Sequence, residues 1–285
     1  MRTRIFSDHF RSAVPLIGQG TWKLPDDDAA IAQAKEALRM GIELGMTHID
    51  TAEMYGEGRS EEIIAEAVRG FPREKLFIVS KVLPSNASYK GTIEACERSL
   101  TRLKMDYLDC YLLHWRGSHP IGETMRAMTE LVAQGKIRSL GVSNFDIEDL
   151  EEAQSHLGKE KLACNQVLYH IEERGIERAL IPYCHQRSIA VVGYTPFGKK
   201  PVPSESTESG AVLAAVAKKH GVTVRQVLLA FLVRLDGTCS IPKASHPDHV
   251  RENAGAGDLI LDAEDVAQID GAFPAPKQRT PLAWA

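Results

Sequence analysis

No apolar run in this chain reaches the roughly 18 residues that a membrane-spanning helix requires. The first ten residues, "MRTRIFSDHF", lack the apolar core of a secretory signal. A soluble, cytoplasmic protein without a membrane partner is therefore expected. Long basic runs are also missing, and the formal net charge is -4 with a pI near 6.2. Nucleic acid is not an expected partner. Cysteine is scarce: five residues, an odd number with no C-x-x-C spacing (Cys96, Cys110, Cys164, Cys184, Cys239). That usage fits buried free thiols in a reducing compartment rather than a disulfide framework. There is no internal repeat and no low-complexity tract. A complete G-x-G-x-x-G loop is absent too. The nearest match, "GQGTWK", lacks the third glycine and the helix that should follow. No G-x-S-x-G nucleophile elbow occurs, and Ser143 has no evident base beside it.

What is there is alternation. Apolar strands trade places with amphipathic helices along the chain. "VPLIGQGTW" (14–22) reads as the first strand. The helix "AAIAQAKEALRMGIELG" (29–45) follows, with Ile31, Ala34, Leu38 and Ile42 at helical spacing. "THIDTA", "KLFIVSKV", "DYLDCYLLHW", "IRSLGVSNF", "LACNQVLYH", "IAVVGYTPFG" and "CSIPKA" supply seven more strands, each followed by helical sequence. In the helix "SEEIIAEAVRG", Glu61 and Glu62 fall in the first turn, where the helix dipole favours them. Several strands are continuously apolar, as a sheet covered on both faces requires. Eight such units in 285 residues predict one α/β domain, a (β/α)8 barrel spanning 1–285. The upstream piece "TRIFSDHFRSA" is expected to form a small hairpin. "GKKPVPSESTESG" (198–210) reads as a loop after the seventh strand, and "FPAPKQRTPLAWA" as a tail beyond the barrel.

In this architecture active sites gather at the C-terminal ends of the strands. The second strand delivers Asp50 there, with Tyr55 just beyond. The third ends in Lys81, the fourth in His114, the fifth in Ser143 and Asn144. The sixth brings Asn165 and Gln166, the seventh Tyr194, the eighth Lys243. Taken singly, each has an ordinary structural role: an aspartate caps a turn, a lysine reaches solvent, a histidine packs in a core. Together they ask for another explanation. A buried carboxylate is costly unless a charge or hydrogen bond meets it. Asp50 and Lys81 come from adjacent parallel strands about 4.8 Å apart, so each can answer for the other. A bound metal is not expected, because Lys81 would repel a cation and His114 has only Asp50 nearby. A Schiff-base role for Lys81 stays open, although Asp50 would hold its ammonium charged.

From residue 14 to about 274 the chain resembles the aldo-keto reductases. The resemblance rests on "IDTAEMYG", "VSKV", "YLLHW", "GKIRSLGVSNF", "NQVLYH", "VGYTPFG" and "IPKASHPDHVRENAGA", in that order. Within the family it is most similar to bacterial members that reduce methylglyoxal and other small aldehydes. The resemblance implies a tetrad of Asp50, Tyr55, Lys81 and His114. It also implies hydride transfer from NADPH, or more weakly NADH, to an aldehyde or ketone. Tyr55 would donate the proton, Lys81 would lower the phenol pKa, Asp50 would hold Lys81, and His114 would orient the substrate oxygen. Ser143, Asn144 and Gln166 match the family's ligands for the nicotinamide carboxamide, and Tyr194 the ring that stacks on the nicotinamide. Lys243, Ser245 and His249 fall at the adenosine 2′-phosphate, and Glu252 and Asn253 at the adenine. Trp22 and Trp115 are expected to line the substrate pocket.

This sequence departs from the family pattern at Ala244, where Ser or Thr is common, and at His249, where Arg is common. Glu57 and Gly58 replace Asn and Glu, and Phe197 replaces leucine. Two other functions remain in competition: a nucleotide-sensing regulator on the same fold, as in potassium-channel β subunits, and a reductase of sugar-derived ketones such as diketo-gluconates. The retained tetrad favours the small-aldehyde reductase. The mixed, charged surface permits a monomer.

Overall fold

The computed structural model describes residues 1–4, 13–25 and 27–284. Two short strands, β1 (Thr3–Arg4) and β2 (Val14–Pro15), pair antiparallel. The rest of the expected hairpin, residues 5–12, lies outside the described residues. Eight further strands are β3 (Gln19–Gly20), β4 (His48–Asp50), β5 (Phe77–Val82), β6 (Leu108–Leu113), β7 (Ile137–Ser143), β8 (Leu162–Leu168), β9 (Ala190–Tyr194) and β10 (Thr238–Ser240). They form one parallel sheet in sequence order. The ends of that sheet meet. Gly18 N–H donates to the Ser240 carbonyl at 2.8 Å and Ser240 N–H to the Leu16 carbonyl at 2.9 Å. The result is the closed (β/α)8 barrel. The first expected strand is divided: Val14–Pro15 serves the hairpin, and only Gln19–Gly20 joins the barrel sheet as a strand.

The helices are α1 (Asp28–Glu43), α2 (Arg59–Ala67), α3 (Tyr89–Leu103), α4 (Ile121–Ala133), α5 (Ile147–Ser155), α6 (Leu180–Gln186), α7 (Glu208–His220), α8 (Val224–Leu232), α9 (Pro247–Ala256) and α10 (Ala263–Ala272). Most lay an apolar stripe on the barrel, whereas α7 and α10 pack with α8 in a separate cluster around Leu213, Val216, Phe231 and Ile269. On α1 that stripe includes Ile31, Ala34, Leu38 and Ile42, and Asp27 caps the helix by accepting from Ala30 N–H. Each fully buried aliphatic side chain of this size contributes about 1.5–3 kcal/mol. Two helices, α7 and α8, sit between β9 and β10, so one unit of the barrel carries an insertion. Among the described residues no helix is long and apolar enough to cross a membrane. The tail does not close over the body at its end: Trp284 is 54% exposed.

Strand alternation positions the site. All residues of β5, β6 and β8 are buried. The inward-facing rows begin apolar and end polar. Phe77 and Val79 lead to Lys81, Cys110 and Leu112 to His114, Cys164 to Gln166, and Val192 to Tyr194. The register aligns these rows, with Asp50 beside Val79, Lys81 beside Leu112 and Ser143 beside Gln166. The barrel floor is thus an apolar plug and its C-terminal rim is a polar ring. All five cysteines are free and buried.

Candidate active site

At the centre of the rim the Lys81 ammonium makes three hydrogen bonds. It donates to Asp50 Oδ1 at 2.6 Å, to the Thr51 carbonyl at 2.8 Å and to the Tyr55 hydroxyl oxygen at 3.1 Å. Its capacity as a three-proton donor is fully used. Asp50 is met on its other side by Gln166 Nε2, which donates to Oδ2 at 2.6 Å. The ion pair is dry: Lys81 is 0% exposed and Asp50 1%, whereas Tyr55 and His114, at 8% each, reach the opening. Tyr55 arrives there on a reversed segment. Gly56, Glu57 and Gly58 all have left-handed backbone (φ 57°, 54° and 94°) and turn the chain into α2. Two of these positions are glycine, the residue that adopts such angles without steric cost.

Electrostatics divide the four groups into one ion pair and two neutral groups. Burial alone would pull the Lys81 ammonium down, but Asp50 and Tyr55 together more than offset it and raise its pKa. A charged amine of this kind is a poor Schiff-base nucleophile. For Tyr55 the sequence expectation of a lowered pKa is corrected. Burial pushes the phenol up by more than the adjacent Lys81 cation pulls it down, and its pKa lies above the ordinary value of 10.0. The physical reason is that an 8%-exposed phenolate loses most of its hydration. Tyr55 is therefore a protonated phenol at neutral pH, with a cation poised to receive negative charge as it forms. Burial, then the Lys81 charge, drives His114 down to about 2, so its imidazole is neutral. Its Nδ1 is buried without a partner. Asn144 Nδ2 anchors its backbone by donating to the His114 carbonyl at 3.2 Å. The ring meets Tyr55 edge-on at 5.7 Å and Trp115 at 4.7 Å. Trp22, 46% exposed, stands 4.8 Å from the Tyr55 ring. Trp22 thus packs on Tyr55 and Trp115 on His114.

The remaining polar ring is linked to itself. Ser143 Oγ donates to the Gln166 carbonyl at 2.9 Å, Asn144 Nδ2 to Ser143 Oγ at 3.2 Å, and the Tyr194 hydroxyl to Asn144 Oδ1 at 2.8 Å. Asn144 and Thr195 follow strands β7 and β9 with left-handed backbone, φ 60° and 53°. For the β-branched Thr195 this is a strained conformation, of the kind that gathers at functional sites. Asn165, by contrast, is spent on structure. Its amide donates to the Phe145 carbonyl at 2.8 Å.

Beyond β10 lie Lys243, Ser245 and His249. Lys243 and His249 are exposed, and the His249 ring lies 5.6 Å from that of His246 at a tilt of 53°. Ser245 Oγ is buried with no hydrogen-bond partner. An orphaned hydroxyl beside an available ammonium is the donor set that a phosphate uses, so these residues fit a phosphorylated nucleotide. Glu252 accepts from Thr223 Oγ1 at 2.6 Å and pairs with Arg225 at 3.7 Å, while Asn253 is buried. Arg225 also covers the Phe197 ring at 4.0 Å.

Sequence reasoning missed three features. The bond from Gln166 to Asp50 joins residues 116 apart. The helix α10 went unread, although Asp262 and Asp265 spell its capping box. Glu61 stands in the first turn of α2 as expected, but its burial was not foreseen. It is 0% exposed and bound by Arg102 and Ser80, each at 2.6 Å. The clue was available in its position one residue after Ser60 on the apolar side of a short helix.

Comparison with known proteins accords with this geometry. Residues 16–273 match the model of the aldo/keto reductase family. The chain is 46% identical over 270 residues to methylglyoxal reductase YeaE of Escherichia coli (strain K12), covering 95% of each sequence. It is 35% identical over 259 residues to the glyoxal reductase of Bacillus subtilis (strain 168), covering 90% of this chain and 88% of that one. Among solved structures, an aldo-keto reductase from Klebsiella pneumoniae in complex with NADPH superimposes with a TM-score of 0.91. It has 43% identity and full coverage of both chains. Likeness that runs through the whole barrel, and through the strands that build the polar rim, makes this chain a member of the aldo/keto reductase family.

Proposed function

We propose that this protein reduces small aldehydes and ketones, methylglyoxal among them, to alcohols, using NADPH. The observation that carries the reading is the Asp50–Lys81–Tyr55 chain, with its 2.6 Å and 3.1 Å contacts at the end of a dry barrel core. NADPH, when bound, supplies the hydride that becomes the new C–H bond. The carbonyl oxygen then gains negative charge and needs a proton, which the Tyr55 hydroxyl holds at the opening. As that O–H bond breaks, Lys81 stabilises the phenolate left behind, and Asp50 keeps Lys81 charged and in place. His114, neutral, can donate a hydrogen bond to the same oxygen and orient it. Gln166, Ser143 and Asn144 offer amide and hydroxyl groups suited to a carboxamide, and Tyr194 an aromatic face for the nicotinamide. Lys243, Ser245 and His249 suit the 2′-phosphate, and Glu252 and Asn253 the adenine.

Small carbonyls are favoured because the segment after His114, "RGSHPIG", is too short to wall a deep pocket. The names of the Escherichia coli and Bacillus subtilis relatives support the same class. The test is NADPH oxidation with methylglyoxal, an aromatic aldehyde and a steroid ketone. The first two should turn over with the higher kcat/KM. In Tyr55→Phe, turnover should fall about 100- to 10,000-fold with NADPH binding kept. A chain that binds NADPH but oxidises it with none of these carbonyls would be a nucleotide-sensing regulator instead.

A further inference from the structure

Two buried carboxylates bracket Tyr55 in the sequence, Glu53 and Glu61; Glu61 reaches across to β5, the strand that carries Lys81, and Glu53 to the residues that follow that strand. Glu53 Oε1 accepts from the Leu83 N–H at 2.7 Å and from Asn86 Nδ2 at 3.0 Å. Its own backbone N–H donates to the Lys81 carbonyl at 3.3 Å. Glu61 Oε1 accepts from Ser80 Oγ at 2.6 Å. The contacts thus fall immediately before Lys81, at Lys81 and two residues after it. Each carboxylate has its own arginine on α3, one turn apart. Arg98 is 3.6 Å from Glu53 Oε2, and Arg102 Nε donates to Glu61 Oε2 at 2.6 Å. Gly58 makes room for the second pair, since a Cβ there would lie 2.5 Å from Arg102 Nε.

We propose that Glu53 and Glu61 are positioning residues that clamp the Tyr55 turn to β5 and so set the distance between the Tyr55 hydroxyl and the Lys81 ammonium. The inference rests on the reductase reading and goes beyond it. Two carboxylates matched by two guanidiniums bring no net charge toward Lys81. What they contribute is geometry. The turn they hold has short-range bonds of its own, Tyr55 N–H to the Ala52 carbonyl at 3.0 Å and Glu57 N–H to the Met54 carbonyl at 3.3 Å, but these tie it to itself and not to β5, and its three successive left-handed residues gain from an outside anchor. With the clamp loosened, the phenol moves away from the cation. The proton it donates then leaves a less stabilised phenolate, and the phenol becomes a weaker acid.

The experiment uses four variants of the whole chain. Ser80→Ala removes the Glu61 link while leaving its arginine, and Ser80→Thr restores a hydroxyl. Glu53→Ala removes the other link, and Glu53→Gln keeps its acceptor oxygen. Kinetics with methylglyoxal should give a kcat about tenfold lower in the two alanine variants. KM and the NADPH Kd should change less than about twofold, and the Thr and Gln variants should stay near the parent. The alkaline limb of the pH–kcat profile should move up in the alanine variants alone. The same upward move should appear in the Tyr55 midpoint read by 13Cζ-tyrosine NMR, assigned with Tyr55→Phe, which needs no turnover. A parent without carbonyl turnover would refute the reductase reading and leave the NMR midpoints to decide the clamp. If Glu53→Ala does not fold, the Ser80 pair decides alone. A folded Ser80→Ala with the parent's Tyr55 midpoint, or one whose whole loss lies in NADPH binding, overturns the proposal.

Discussion

Gln166 donates its amide proton to Asp50 Oδ2 at 2.6 Å, across 116 residues of chain and half the barrel rim. Asp50 is thereby satisfied on both oxygens, by Lys81 on one and Gln166 on the other. The bond also fixes which way the Gln166 amide faces, because its nitrogen is committed to the carboxylate. Its oxygen is the acceptor left for a carboxamide N–H. Gln166 therefore belongs to the Asp50–Lys81 hydrogen-bond chain, and on the proposed reading it would serve the cofactor as well.

Replacing Gln166 by leucine should cost about 1–3 kcal/mol of folding stability, since it strands one oxygen of a buried carboxylate. NADPH binding should weaken in the same variant. Gln166→Glu should be worse on both counts, because it sets a second carboxylate against Asp50. Urea midpoints and NADPH titrations of the three proteins check this. A Gln166→Leu variant as stable as the parent would mean that the bond contributes nothing in solution.

The Asp50–Lys81 pair should matter more. Lys81→Met keeps the volume of the stem but leaves Asp50 buried without its cation, and breaking such a pair typically costs about 3–5 kcal/mol. It also removes the charge that stabilises the Tyr55 phenolate, so turnover should fall with stability. Activity that survives while stability drops would separate the two roles and place the proton donor elsewhere.

The pair was legible in the sequence because strand ends are. "HID", "VSK" and "LLH" close three successive apolar runs, and in a parallel barrel adjacent strands bring adjacent ends together. Local pattern carries that much. It does not carry long closures. Gln166 meets Asp50 only because the sheet curls until β8 faces β4, and curvature leaves no mark on either segment. The burial of Glu61 was hidden for a related reason. Its place in a first turn is a local fact, while its burial against Arg102 depends on α3 packing beside α2. The sign of the Tyr55 shift was likewise a competition. The sequence names the cation that lowers the pKa, but the depth of burial that outweighs it belongs to the folded state.

Two buried histidines should make the protein sensitive to mild acid. Burial holds the pKa of His48 down at about 4. Burial and the Lys81 charge hold His114 at about 2. In the unfolded chain both imidazoles take up protons near pH 6.5. Between pH 6.5 and 4 the unfolded state therefore binds more protons than the folded one, and stability falls as the pH falls. Each group adds a slope of at most about 1.4 kcal/mol per pH unit. Below pH 4 only His114 continues to act. His48→Gln, which does not titrate, should show a shallower loss of urea stability from pH 6.5 to 4 than the parent. Parallel curves for the two proteins would mean that His48 is charged, or solvated, in the folded state.

The orphaned Ser245 hydroxyl gives the sharpest test of the cofactor assignment. Its Oγ is buried without a partner, a condition that costs free energy unless a ligand completes it. A 2′-phosphate would do so, as a charge-assisted acceptor, and NADH has none to offer. Ser245→Ala should therefore raise the Kd for NADPH about tenfold or more, the worth of a hydrogen bond to a charged group, and leave the Kd for NADH unchanged. Lys243→Ala should weaken NADPH selectively as well, through loss of a positive charge exposed enough for added salt to screen. His249→Arg should act in the opposite direction, because guanidinium is a permanently charged fork matched to phosphate. Fluorescence titration of all four proteins with both nucleotides at two salt concentrations measures these shifts. Equal losses for NADPH and NADH in Ser245→Ala would move the phosphate away from β10. The orphaned hydroxyl would then be a structural defect rather than half of a binding site.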